Sequence, residues 1–154
     1  MSAPRMVSKD FRPSPTAGAG LLLLLIAALL LSASPSALAK RDTTPPTFAG
    51  LKSATTCVPG PIGGGRTAVY HLAWDPAKDN RTPSGQIVYD VYQATIAGGE
   101  DFSAPTYTTP AGATSFDTPP LTTDQVFYFV VRARDKAGNS DSNTVERQGQ
   151  NLCV

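Results

Sequence analysis

Short runs in which every second side chain is bulky and apolar constrain this chain more than any other feature. Between Val126 and Arg134, Phe127, Phe129, Val131 and Ala133 share one side, and Val126, Tyr128, Val130, Arg132 and Arg134 share the other. Tyr70, Leu72 and Trp74 alternate in the same way with Val69, His71 and Ala73, and Ile87, Tyr89 and Val91 alternate with Val88, Asp90 and Tyr92. A period of two belongs to extended chain, whose successive Cβ atoms point to opposite faces of a sheet. One face of each strand must then be dry. The predicted core is Tyr70, Leu72, Trp74, Ile87, Tyr89, Val91, Phe116, Leu121, Phe127, Phe129 and Val131.

Turn chemistry separates these runs. Gly60 to Gly65, Asp75 to Gly85, Gly98 to Asp101 and Asp135 to Asn139 are rich in Gly, Pro, Asp and Asn and read as connections. The glycine-rich stretch lacks the Lys and following Ser or Thr of a phosphate-cradling loop. Weaker strands are predicted at Phe48 to Ala54, at Thr114 to Asp117 with Phe116 inward, and at Asp141 to Arg147. An edge strand is predicted at Pro105 to Thr109, where proline forfeits no inward ladder bond. The fold class is therefore all-β, an immunoglobulin-like antiparallel sandwich of about seven strands.

The first forty residues differ from the rest. Arg5, Lys9 and Arg12 precede an apolar run from Ala17 to Leu31, followed by small residues from Ser32 to Ala39. That order is a secretory signal peptide over residues 1–39. Ala37 and Ala39 flank Leu38, which predicts cleavage between Ala39 and Lys40 and a secreted or extracytoplasmic product. A retained membrane anchor is the competing reading and the only membrane contact foreseen, although about 15 apolar residues fall short of the roughly 20 that span a bilayer. Beyond this segment the chain divides into an extended lead-in over 40–46, held straight by Pro45 and Pro46, a domain over 47–148, and a tail over 149–154 that carries Cys153. Roughly 115 residues remain, enough for one core.

Export bears on Cys57 and Cys153, the chain's two thiols. An even number of thiols in an oxidising compartment is normally paired, and the alternative is two free buried thiols. With a single His in the chain, they cannot make a structural zinc site. The formal net charge is +1, with no cluster of Lys and Arg, so nucleic acid is not an expected partner.

Trp74-Asp75-Pro76-Ala77 with Asp79, Tyr89-Asp90-Val91-Tyr92, and Phe129 through Ser140 together resemble a bacterial secreted fibronectin type III domain. The resemblance covers about Pro45 to Val145. It implies that Trp74 is the core tryptophan of the second strand and that Leu121 precedes the corner into the strand of Phe129. It also implies that the connection after the first strand and the end of the last lie at one pole, so that Cys57 and Cys153 can meet. Phe127 departs from the family, which commonly has a tyrosine there whose hydroxyl caps the corner. Losing that hydrogen bond costs about 1 kcal/mol.

Catalytic chemistry is poorly supplied, and no enzyme is expected. His71 is predicted to be a solvated strand residue, and Glu100-Asp101 stands on a turn without the fixed carboxyl separation a glycosidase needs. No cofactor is expected. If the resemblance holds, the loop of Asp75 and Asp79 and the loop of Asp135, Asn139 and Asp141 meet at one pole, where carboxylates can hold calcium. Capping of turns, or pairing with Lys78, Arg81 and Lys136, is the alternative use of these acids. Val88, Tyr92, Val126, Tyr128 and Val130 form a predicted apolar face beside Asp90, Arg132 and Arg134, open to two readings, a partner surface or cross-strand packing. The expected function is a secreted, non-catalytic recognition or adhesion module for a protein or carbohydrate at the cell surface. The alternative is a structural envelope component that self-associates.

Overall fold

The computed structural model describes residues 40–61 and 63–153; the predicted export segment, with its apolar run and cleavage junction, lies outside the described residues. Ten short strands follow one another: β1 (Leu51–Thr56), β2 (Thr67–Ala68), β3 (His71–Trp74), β4 (Val88–Ala94), β5 (Tyr107–Thr108), β6 (Ser115–Asp117), β7 (Leu121–Thr122), β8 (Tyr128–Arg134), β9 (Glu146–Gln148) and β10 (Gln150–Asn151). They make two four-stranded sheets, β10-β1-β3-β6 and β5-β4-β8-β9, and a small ribbon of β2 with β7. Every pairing is antiparallel except β1 with β10, which is parallel. The described residues are all-β and sandwich-like. Among the described residues no helix is long and apolar enough to cross a membrane.

The longest ladder joins β4 and β8, from Val88 opposite Arg134 to Ala94 opposite Tyr128. Its inner face sets Tyr89 opposite the small Ala133 and Val91 opposite Val131, all without solvent exposure. Leu72 and Trp74 of β3 close the core from the other sheet. Aromatic contacts bridge the sheets: the Trp74 ring lies 5.2 Å from Tyr89, and Tyr70 lies 5.7 Å from Phe129. Each large apolar side chain buried this way contributes about 1.5–3 kcal/mol. Ile87 and Phe127 are also buried, whereas Phe116 and Leu121 are half-buried at the core margin. Polar atoms inside find partners, as the Trp74 indole N–H donates to Ala113 O at 3.0 Å.

Several strand limits differ from the sequence expectation. The first strand starts at Leu51, because Gly50 turns with φ +86° and lies so close to Val145 that a Cβ there would sit 2.6 Å from the Val145 Cβ. The strand predicted from Asp141 to Arg147 shrinks to β9. The Asp141 backbone N–H still donates to Ala133 O at 2.9 Å, and side chains supply the rest of the pairing through Asn143: the Asp141 carboxylate accepts the Ala133 N–H, Asn143 Nδ2 donates to Val131 O at 3.0 Å, and Arg132 Nε donates to Asn143 O at 3.0 Å. Within the predicted tail, Gln150–Asn151 form β10. At Gly149, whose Cβ would lie 2.5 Å from the Tyr70 ring, the chain leaves the sheet of β9 and crosses to β1. Asn151 then brackets Val58, accepting its N–H and donating to its carbonyl at 3.0 Å each. The Cys57–Cys153 disulfide follows, with Cα atoms 4.8 Å apart.

Candidate functional site

The predicted apolar face is not an open surface. Tyr92 and Val130, opposite each other in the β4–β8 ladder, are 6% and 1% exposed; Val88 and Tyr128 are half-buried, and Val126 alone is well exposed, at 46%. The connection after β4 supplies the cover. It lays Phe102 5.0 Å from the Tyr92 ring, and the Arg132 guanidinium stacks 3.6 Å over Phe102 and 5.7 Å from Tyr92. Cation–π attraction and ring packing thus cover the Tyr92 part of the sheet face. No strand alternation marked Phe102, which sits in a turn region, so the sequence offered no signal for it.

Asp90, predicted outward, is buried as well, at 3% exposed. Its carboxylate accepts Arg134 Nε at 2.7 Å, Arg134 Nη2 at 3.0 Å and the Thr108 hydroxyl at 2.8 Å. Burial pushes its pKa up, but these hydrogen bonds and the Arg134 charge outweigh burial and hold the carboxyl below its ordinary range. This is a structural bidentate pair. His71 Nδ1 lies 2.6 Å from Asp117 Oδ1 on the outer face of β3 and β6, both side chains more than half exposed.

Chemistry converges instead at one end of the molecule. The lead-in packs there against the connections after β3 and β8. Thr47 and Lys78 exchange backbone hydrogen bonds of 2.7 and 3.0 Å, Arg81 Nη1 donates to Lys40 O at 2.6 Å, and Asn139 Nδ2 donates to Asp42 O at 3.3 Å. This brings together Asp42, Asp79 and Asp135, one carboxylate oxygen from each, no two more than 4.8 Å apart. Of the four acids expected there, Asp79 and Asp135 take part. Asp75 is exposed and pairs with Lys52 Nζ at 3.1 Å, and Asp141 is occupied by Ala133 and Asn143. Asp42 was missed because its place depends on where the lead-in docks, which local pattern does not encode.

Backbone donors orient the three carboxylates. Asp42 Oδ1 accepts the Thr44 N–H at 3.1 Å; Asp79 Oδ1 accepts Thr82 N–H at 2.6 Å and Arg81 N–H at 3.0 Å. The Thr82 N–H above all holds the Asp79 carboxyl below the usual range, against the opposing effect of burial. Asp135, itself buried, accepts the backbone and side-chain N–H groups of Asn139 at 2.7 Å each. Asp42 Oδ2 and Asp79 Oδ2 are closed off from solvent and accept no hydrogen bond.

Beside this cluster runs an open groove of about 470 Å³ between the lead-in and the segment after β8. Pro45, Pro46 and Phe48 form one wall; Ser140, Asp141, Ser142 and Asn143 form the other. Phe48 is anchored from below by Tyr89, 5.3 Å away, and keeps part of its ring exposed. No family model, curated protein or solved structure matches the chain.

Proposed function

We propose that this chain is an extracytoplasmic, non-catalytic recognition module of the fibronectin type III kind, which holds a carbohydrate or protein ligand of the cell surface in the groove between its lead-in and Ser140–Asn143. The division of strands supports the family reading: β1, β3 and β6 in one sheet and β5, β4, β8 and β9 in the other follow the partition of an immunoglobulin-like sandwich. Phe127, lacking the hydroxyl that caps the corner, packs against Tyr70 at 6.1 Å and Phe129 at 6.5 Å, so packing takes over there. The disulfide is compatible with an oxidising compartment.

The groove is the observation that carries the binding reading. Its volume falls within the usual range for small-ligand sites, about 300–1,000 Å³. Rigid prolines and a half-exposed aromatic stand across it from Ser140 and Ser142, a combination that offers both stacking and hydrogen bonds. Self-assembly through β4 and β8 is less favoured, since Tyr92 and Val130 are already covered. Binding to a glycan array and to intact cell surfaces, compared between wild type and Ser142→Trp, tests the groove. Ser142 is exposed, so tryptophan fills the groove without touching the core. Equal binding by both proteins would sink the reading.

A further inference from the structure

We propose that the groove takes an uncharged, extended peptide segment of a protein partner, which adds as a further strand along Ser140 to Thr144; this rests on the groove being the binding site and selects peptide over glycan as its occupant. The Asp135 N–H donates to Asn139 O at 3.0 Å, and the Asp141 N–H donates to Ala133 O at 2.9 Å. These two bonds flank the isolated pairing of Arg134 with Ser140, so the N–H and C=O of Ser140 itself point away from β8. Asp141 and Asn143 keep facing β8 through the Ala133 N–H and Val131 O. By alternation the backbone groups of Ser142 and Thr144 turn outward with those of Ser140. All three residues are exposed, and among the described residues no hydrogen bond reaches the backbone of any of them. The facing wall does not close this edge. Pro45 and Pro46 have no N–H to offer, and Thr47 commits both its backbone groups to Lys78.

A row of unpaired donors and acceptors on a sheet edge is the template with which an extended peptide pairs. Five residues of edge run about 16 Å, room for a peptide stretch of the same length. A glycan has no N–H and C=O repeat to match it. Charge narrows the occupant further. Among the described residues lining the groove Asp141 alone is ionisable; it is buried, and its carboxylate is taken by N–H groups of Ala133 and Asn143. A charged side chain lying there would lose water and gain no partner. The chain from Pro45 runs on into β1, in the opposite sheet, so an added strand turns alternate side chains towards Pro45 and Phe48, where apolar ones are covered.

The test selects a phage-displayed library of random linear peptides on the disulfide-bonded protein and titrates the tightest one as a synthetic peptide. Methylating its amide nitrogens at alternate positions should abolish binding in one parity and change it by less than about threefold in the other, because only every second residue bonds to the edge. Ser142→Pro removes an N–H that no internal bond uses; it should melt within about 2 °C of wild type and bind the peptide at least about tenfold more weakly. Hydrogen exchange reads the same edge without a substitution: the Ser140, Ser142 and Thr144 amides should exchange at least about tenfold more slowly in the complex. A library that yields no binder, loss of binding in both methylation parities or neither, or unprotected amides at these three residues would overturn the inference. Glycan binding that Ser142→Trp blocks and Ser142→Pro leaves intact would also overturn it while keeping the groove as the binding site. Peptides bound equally by Ser142→Trp would remove the groove as well.

Discussion

The phenolic oxygen of Tyr89 accepts the backbone N–H of Ala77 at 2.7 Å, with neither residue exposed to solvent. Tyr89→Phe preserves the ring between Trp74 and Phe48 but leaves that N–H unmet. A buried donor stranded in this way costs about 1–3 kcal/mol. Urea unfolding should show a lower midpoint by that amount, and an unchanged midpoint would mean that the amide finds another acceptor.

Asp90 makes acid sensitivity predictable. Its folded pKa lies below the unfolded value of about 3.9, so its contribution to stability is present above that pH and is lost as pH falls through the folded value. Arg134→Met should destabilise the protein by about 2–3 kcal/mol at neutral pH, because the buried carboxylate loses two charged hydrogen bonds. The deficit should shrink near pH 3. A deficit independent of pH would show that Arg134 acts through packing alone.

Glu100 has the opposite sign. Burial, followed by the neighbouring Glu146, raises its pKa, while Glu146 Oε2 holds the Gly98 N–H at 2.6 Å. A carboxyl with a raised folded pKa contributes stability at low pH that is lost as pH rises through the folded value. Glu100→Gln should therefore gain about 0.5 kcal/mol at pH 7 and nothing near pH 4, read from melting curves across that range. Destabilisation at pH 7 would refute the repulsive pairing.

The disulfide spans a sequence separation of 96 residues. In the chain-entropy account, so long a loop stabilises by about 3–5 kcal/mol. Replacing both cysteines by serine should lower the unfolding free energy by that much without changing the far-ultraviolet spectrum. A loss below about 1 kcal/mol would show that the Asn151–Val58 hydrogen bonds and the β1–β10 pairing already hold this end closed.

Alternation made the sandwich readable where a strand has one dry face. From Ala68 to Trp74 the residues pointing inward are buried even across Val69 and Tyr70, where the backbone ladder lapses. Alternation is blind to the outer face of a strand, however. Tyr92 and Val130 look like a binding patch until Phe102 arrives from the connection after β4 and stacks with Arg132 of β8 itself. Side chains that imitate a ladder, as Asp141 and Asn143 do, look in sequence like a continuing strand. Two of the three clustered acids were legible because Asp79 and Asp135 stand in turns next to strong strands. Asp42 was not, since nothing local fixes the path of a proline-stiffened lead-in.

The clamp between Cys57 and Cys153 also limits how this protein responds to tension. A load applied between Lys40 and Cys153 passes through the covalent bridge, so everything from Val58 to Leu152 is shielded from the pull. Only the eighteen residues Lys40 to Cys57 can be drawn out, about 60 Å at full extension. Under force the protein would yield by peeling its first strand and the acidic end of the lead-in, while the remaining sandwich stays shut until the sulfurs are reduced.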